Sequence, residues 1–121
     1  MSAVTTPAFD LDSLVRGIER RDAAAQASAY APDAVLTTID ATTGPSRPAV
    51  LRGREAIGAA LADVCSRDMT HEVVFSVQSR DRAALAVACR YADGTRVHCA
   101  AMLELRDGLI AAQTTTQAWD V

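Results

Sequence analysis

The spacing of hydrophobic positions changes once along the chain. In PAFDLDSLVRGIERRD, residues 7–22, Leu11, Leu14, Val15 and Ile18 recur at i, i+3, i+4 and i+7 and line one face of a helix. Thr6 followed by Pro7 is one start signal for it, and Asp10 is a competing N-cap. Arg20 and Arg21 suit its negative end. Asp22 then caps a second short helix, AAAQASAY, which Pro32 ends. AVLTTID, residues 34–40, is β-branched and reads as a strand with Leu36, Thr38 and Asp40 facing inward.

ATTGPSRPAV, residues 41–50, is rich in Gly and Pro and reads as a loop. It leads into LRGREAIGAAL, residues 51–61, where Gly53 enters a helix and Glu55 occupies the first turn. Ile57, Leu61 and Val64 form its buried stripe. From Thr70 onward the period becomes two: THEVVFSVQS, AALAVACRY, GTRVHCAAMLEL and LIAAQTTTQAW are strands joined by SRDR, ADG and DG. The Asp-Gly pairs at 93–94 and 107–108 are hairpin signals, so this half is an antiparallel meander. Helices first and a long antiparallel sheet afterwards define an α+β fold.

Composition narrows the setting. At 121 residues the chain is one domain, 1–121, and 50% of it is hydrophobic although only 4% is aromatic. The net charge is −3 without a basic run, which argues against nucleic acid as a partner. No apolar stretch approaches the roughly 18 residues of a spanning helix, and MSAVTTPAFD lacks the regions of a signal peptide, so no membrane is expected. Cys65, Cys89 and Cys99 form no CxxC pair and, with two histidines, no expected zinc site; reduced buried thiols in a cytoplasmic protein fit them. Val and Ala on both faces of the strands predict burial on both faces. The helices cover one, and a second copy would cover the other, giving a homodimer through the sheet.

Three segments in order, AYAPDAVLTTI at 29–39, LRGREAIGAAL at 51–61 and LELRDGLIAAQ at 103–113, resemble the nuclear-transport-factor-2-like superfamily, and within it the SnoaL-like group of polyketide cyclases and relatives. The resemblance implies a sheet curled into a cone against the N-terminal helices, with a pocket open at one end. It does not by itself imply a chemistry, because one fold hosts many activities. Ketosteroid isomerases share this fold and use an Asp base with a Tyr and a protonated Asp. Aligned on the shared segments, the base falls at Thr38, the Tyr at Leu14 and the protonated Asp near Ala101, so that mechanism is excluded. The Asp-Arg-Asp set of limonene epoxide hydrolase relatives cannot be assembled either.

Two ionisable side chains remain as candidates for proton transfer. Asp40 lies two residues past Thr38 on the same strand face, where an apolar pocket mouth would raise its pKa; the alternative is a solvated Asp leading into a turn. His71 shares its parity with Val73, Phe75 and Val77, and relatives often carry a His facing the cavity near this place. Together Asp40 and His71 would form a general acid/base dyad. In the family register Val97, Cys99, Ala101 and Leu103 face the cavity, placing His98 and Met102 outside. Cys99 is then an inert pocket thiol, since nothing near it in sequence lowers its pKa. Tyr30 packs its ring in the core as a pocket hydrogen-bond donor. Gln113, Thr115, Gln117 and Trp119 alternate on the last strand and line the floor, which suits a ligand bearing carbonyl or hydroxyl groups.

These features predict a small-molecule pocket, with Leu14, Thr38 and Ala101 in its wall and no metal or organic cofactor. The expected activity is isomerase- or cyclase-like proton transfer on a carbonyl-bearing, polyketide-like substrate. The alternative is a non-catalytic ligand-binding or association module with the same fold.

Overall fold

The computed structural model describes residues 8–120. Helix α1 spans Leu11–Glu19 and is capped by Asp10, whose carboxylate accepts from the Ser13 N–H at 3.0 Å and the Ser13 hydroxyl at 2.7 Å. The competing start at Thr6 and Pro7 lies outside the described residues. Its buried face is Leu14 and Gly17, with Leu11, Val15 and Ile18 half-buried beside them. Gly17 is buried because helix α2, Ala23–Ala27, crosses there: a Cβ at Gly17 would meet Cγ of Gln26 at 3.3 Å.

Strand β1, Tyr30–Ile39, starts earlier than the sequence suggests, and Pro32 lies inside it instead of ending a helix. The reason is an irregularity. β1 pairs Tyr30 with Ile110 and next Val35 with Ala112, so Pro32 falls where the ladder slips and demands no N–H. The predicted loop also contains the start of a short strand, β2, Ala49–Arg52, paired antiparallel with Val35–Thr38. Its four residues are too few to show a period beside Gly44, Pro45 and Pro48.

Helix α3, Arg54–Cys65, follows Gly53, whose φ of 91° and ψ of 148° turn the chain sharply off β2. Ile57 is fully buried, and Leu61 and Val64 pack partly against the core. Strands β3 (Met69–Gln78), β4 (Arg82–Tyr91), β5 (Arg96–Arg106) and β6 (Leu109–Trp119) form the antiparallel meander the turns predict. Asp107 and Gly108 both take positive φ, 53° and 77°, as a two-residue hairpin with matching twist requires.

The sheet order is β2-β1-β6-β5-β4-β3, curved and unclosed. It is not wholly antiparallel: β6 returns alongside β1 in parallel, because α3 and the meander intervene between them. The inner face of β4 is Ala83, Leu85, Val87 and Cys89, and that of β5 includes Val97, Ala101 and Leu103, all buried. His98 and Met102 face outward as expected.

One parity expectation fails. A bulge in β3 pairs Val73 with Val87 but Phe75 with Ala86. His71 and Val73 therefore face inward, whereas Phe75 and Val77 turn outward and are 56% and 49% exposed. A bulge inserts one residue and reverses every side chain beyond it.

Candidate functional site

The inner sheet face, α1 and α3 enclose a cavity of about 410 Å³. Its walls are mainly apolar: Leu14 and Ile18 of α1, Leu61 and Val64 of α3, and Leu85 and Val87 of β4. The candidate site residues read from the sequence line it, whereas Leu103, expected to face it, is packed into the core. Tyr30, Thr38 and Asp40 come from β1 and its end, Leu14 from α1 and His71 from β3. Cys99 and Ala101 come from β5, and Gln113, Thr115, Gln117 and Trp119 from β6.

These residues form distinct polar arrangements within the apolar walls. The Tyr30 hydroxyl donates to Oε1 of Gln113 at 2.6 Å, and Nε2 of Gln113 donates to the Thr115 hydroxyl at 2.9 Å. Tyr30 is 4% exposed, and burial pushes its phenol well above the ordinary range despite the Gln113 bond. The Thr115 hydroxyl accepts at one end of this chain and keeps its own proton for a further acceptor. Arg54 fixes the other end: its Nε donates to the Tyr30 carbonyl at 2.8 Å. The conspicuous Gly-Arg-Glu segment thus holds α3 against β1.

At another part of the rim, the Trp119 and Tyr91 rings stack with centroids 5.8 Å apart. Trp119 Nε1 donates to Oε1 of Gln117 at 3.2 Å, and Arg67 donates to the Tyr91 hydroxyl at 3.0 Å.

Asp40 differs from the expectation. It follows the end of β1, and its Oδ1 accepts from the Thr42 hydroxyl at 2.7 Å, the Thr42 N–H at 2.8 Å and the Thr43 N–H at 2.9 Å. These bonds, that of the Thr42 side chain foremost, lower its pKa below the ordinary carboxylate value, where a raised value was expected. Three donors to the charged form outweigh the slight desolvation of an open turn.

His71 finds a different partner. Its Nδ1 lies 3.1 Å from Sγ of Cys89, the residue directly across from it on β4. Its Nε2 is buried and has no hydrogen-bond partner in the described structure. Cys99 lies diagonally across from Cys89, since Cys89 faces Val97 and Val87 faces Cys99. The Cys99 thiol, then His71, hold the Cys89 thiol below its ordinary pKa against the effect of burial, while Cys99 itself is pushed up. Sequence reasoning passed over Cys89. Its signal was the alternation Ala83, Leu85, Val87, Cys89, which places it on the inner face; the cross-strand register to His71 was not visible there.

Among the described residues, no three His, Cys, Asp or Glu side chains come together to hold a metal ion. No described helix is long and apolar enough to cross a membrane. A broader groove of about 690 Å³ lies on the outer sheet face, bordered by Val77, Ala84, Met102 and Thr114.

The fold is shared with several solved structures. An NTF2-like protein of unknown function from Mesorhizobium loti aligns with a TM-score of 0.77 at 19% identity, covering 89% of this chain and 87% of that one. A candidate ketosteroid isomerase from Kribbella flavida aligns with a TM-score of 0.71 at 19% identity, over 91% and 74% of the two chains. A SnoaL-like protein of unknown function from Burkholderia thailandensis gives 0.67 at 19% identity, over 88% and 89%. No curated protein matches the sequence. The family model of the SnoaL-like domain matches residues 11–113, and with the NTF2-like topology this establishes that the chain belongs to the SnoaL-like domain family.

Proposed function

We propose that the inner cavity binds a small, mainly apolar molecule bearing a carbonyl or hydroxyl group, and that His71 exchanges a proton with it. The observation carrying this reading is the buried Nε2 of His71, which lines the cavity and has no hydrogen-bond partner among the described residues. An orphaned polar atom in an apolar wall costs free energy, on the order of 1–3 kcal/mol, which a ligand's polar group would relieve. The Tyr30–Gln113–Thr115 chain supports the same reading, because it ends on a hydroxyl with a proton to donate. An isomerase- or cyclase-like reaction on a polyketide-like substrate needs a donor and a base in one cavity, and such a substrate would span the strands between Thr115 on β6 and His71 on β3.

The non-catalytic reading has one observation in its favour. Asp40 is committed to its turn, so the expected two-residue acid/base set is reduced to His71 and its sulfur partner. A homodimer remains part of the proposal, supported by the exposed Val74, Phe75, Val77 and Met102 on the outer face. The three free thiols suit a reducing, cytoplasmic setting.

A thermal-shift screen against carbonyl-bearing aromatic and polyketide-like compounds tests the proposal. A true ligand at a hundred times its Kd stabilises the fold by about 2.7 kcal/mol. His71→Ala should weaken a hit more than tenfold if Nε2 bonds the ligand. Hits whose affinity is indifferent to His71→Ala would remove the histidine from the reading. Proton exchange at the ligand's α-carbon in deuterated buffer separates the catalytic from the binding-only reading.

A further inference from the structure

One nucleophile in the cavity has no role in the reading above. Cys89 lies on the inner face of β4, 6% exposed, and lines the same cavity as His71. We propose that Cys89 is a reactive thiol that adds covalently to an α,β-unsaturated carbonyl compound in the cavity, with His71 taking and returning the proton. This rests on the reading that the cavity admits small molecules.

The geometry is set by the sheet. His71 and Cys89 are direct cross-strand partners on adjacent strands, so their side chains rise side by side from one face. Nδ1 and Sγ meet at 3.1 Å, close enough for the thiol proton to pass to the imidazole. Cys99 stands diagonally across on β5 and lends a second thiol to stabilise charge on Sγ. His98, on the outer face of β5, adds a weaker attraction. The other titratable groups lining the cavity are Tyr30, Asp40, Cys65, Arg67, Tyr91 and Cys99. Asp40 is the single carboxylate among the lining residues, and its charge is held by its own turn.

A buried cysteine is ordinarily an inert small hydrophobe. Here its neighbour is a histidine whose second nitrogen is also buried and unpaired, an arrangement that packing alone would not favour. An imidazole on a thiol is the usual means of making a cysteine nucleophilic near neutral pH.

The addition balances without a redox partner. The Cys89 thiol gives its proton to Nδ1 of His71. The sulfur electron pair then forms a C–S bond to the β-carbon, while the C=C π pair moves toward the carbonyl as an enolate. The proton on His71 is delivered to the α-carbon as the enolate collapses. The net change is addition of S–H across the double bond. An unsaturated carbonyl is the matching electrophile because its β-carbon accepts a sulfur nucleophile without expelling a leaving group, and its α-carbon takes back the proton that His71 holds.

N-ethylmaleimide is a suitable probe, followed by intact-mass and peptide-mapping mass spectrometry, with thiolate absorbance at 240 nm read in parallel. The first adduct should form on Cys89, at least tenfold faster at pH 6.5 than on Cys65 or Cys99. The wild-type rate should reach its plateau below the ordinary thiol pKa of about 8.5. His71→Gln should slow the reaction at least tenfold at pH 6.5 and approach the wild-type rate above pH 9. The pH–rate profile of the unaltered protein decides the matter should that variant fail to fold. First labelling at Cys65 or Cys99 overturns the proposal, as does a thiolate that forms only near pH 8.5; both leave the binding cavity standing. Early thiolate absorbance without any Cys89 adduct overturns the proposal and the accessible cavity together.

Discussion

The Tyr30 hydroxyl donates to Oε1 of Gln113 across 2.6 Å, joining residues 83 positions apart at the start of β1 and the middle of β6. The same tyrosine accepts from Arg54 through its carbonyl, so one residue ties α3 and both parallel strands together. Tyr30→Phe leaves the Gln113 carbonyl unpaired in a largely buried place. The expected loss is about 1–3 kcal/mol. At roughly 3–5 °C per kcal/mol for a domain of this size, scanning calorimetry should read it as a clear fall in Tm. The loss shrinks at alkaline pH. Burial raises the folded phenol above the ordinary tyrosine pKa of about 10, so its contribution is complete below pH 10 and is lost as pH rises beyond that. The Tm gap between wild type and Tyr30→Phe should therefore narrow above pH 10.

Gly53 bridges β2 and α3 with φ of 91° and ψ of 148°, a region that side chains avoid. Gly53→Ala should cost about 1–3 kcal/mol by denaturant unfolding. Gly44, at φ of 69° with nothing near its Cβ direction, should tolerate alanine better. Equal losses at the two sites would show that the extended ψ of Gly53 adds nothing to the cost of its positive φ.

The cavity and the packed core should answer differently to changes of volume. Ile57 is fully exclusive of solvent, and Ile57→Ala should cost about 2–5 kcal/mol. Ala101 lines the 410 Å³ cavity, so Ala101→Leu has room to extend. It should change stability by less than about 1.5 kcal/mol while abolishing the thermal shift of any cavity ligand. Retained ligand response in a folded Ala101→Leu protein would place binding elsewhere.

Asp40 should behave as a turn residue on the acid side. The Thr42 and Thr43 hydrogen bonds hold its folded pKa below the ordinary aspartate value of about 3.9, so its contribution is present above that pH and lost as pH falls through the folded value. Asp40→Ala should lower Tm at pH 6, with the difference from wild type shrinking as pH approaches 2–3.

The outer sheet face predicts a second copy of the chain. Met102 is 63% exposed and Phe75 56% exposed. Sedimentation of the wild-type protein should give a dimer, and Phe75→Glu with Met102→Glu should give a monomer that keeps its fold by circular dichroism. A wild-type monomer at micromolar concentration would dismiss this interface.

Much of the fold was legible because local periods and turn residues report local geometry. The stripe of α1, the caps at Asp10 and Asp22, the entry at Gly53 and both Asp-Gly turns follow from side chains acting within a few residues of themselves. Alternation left two sets on β5, and the family register selected the inward one, of which Val97, Ala101 and Leu103 are buried. Where pairing intervenes, reading along the chain fails. Pro32 lies in a strand because β6 slips beside it, and Phe75 faces out because one residue of β3 is inserted against β4.

The sequence by itself determined the α+β class and the family, and with the family register part of the cavity lining, since these depend on hydrophobic period and on segments whose order is specific. Only the tertiary structure decided which side chains meet. It gave His71 a sulfur partner on β4 instead of the Asp40 carboxylate, and bound Asp40 into its own turn. The physical reason is that register between strands is set by the whole sheet, whereas the distance along the chain carries no record of it.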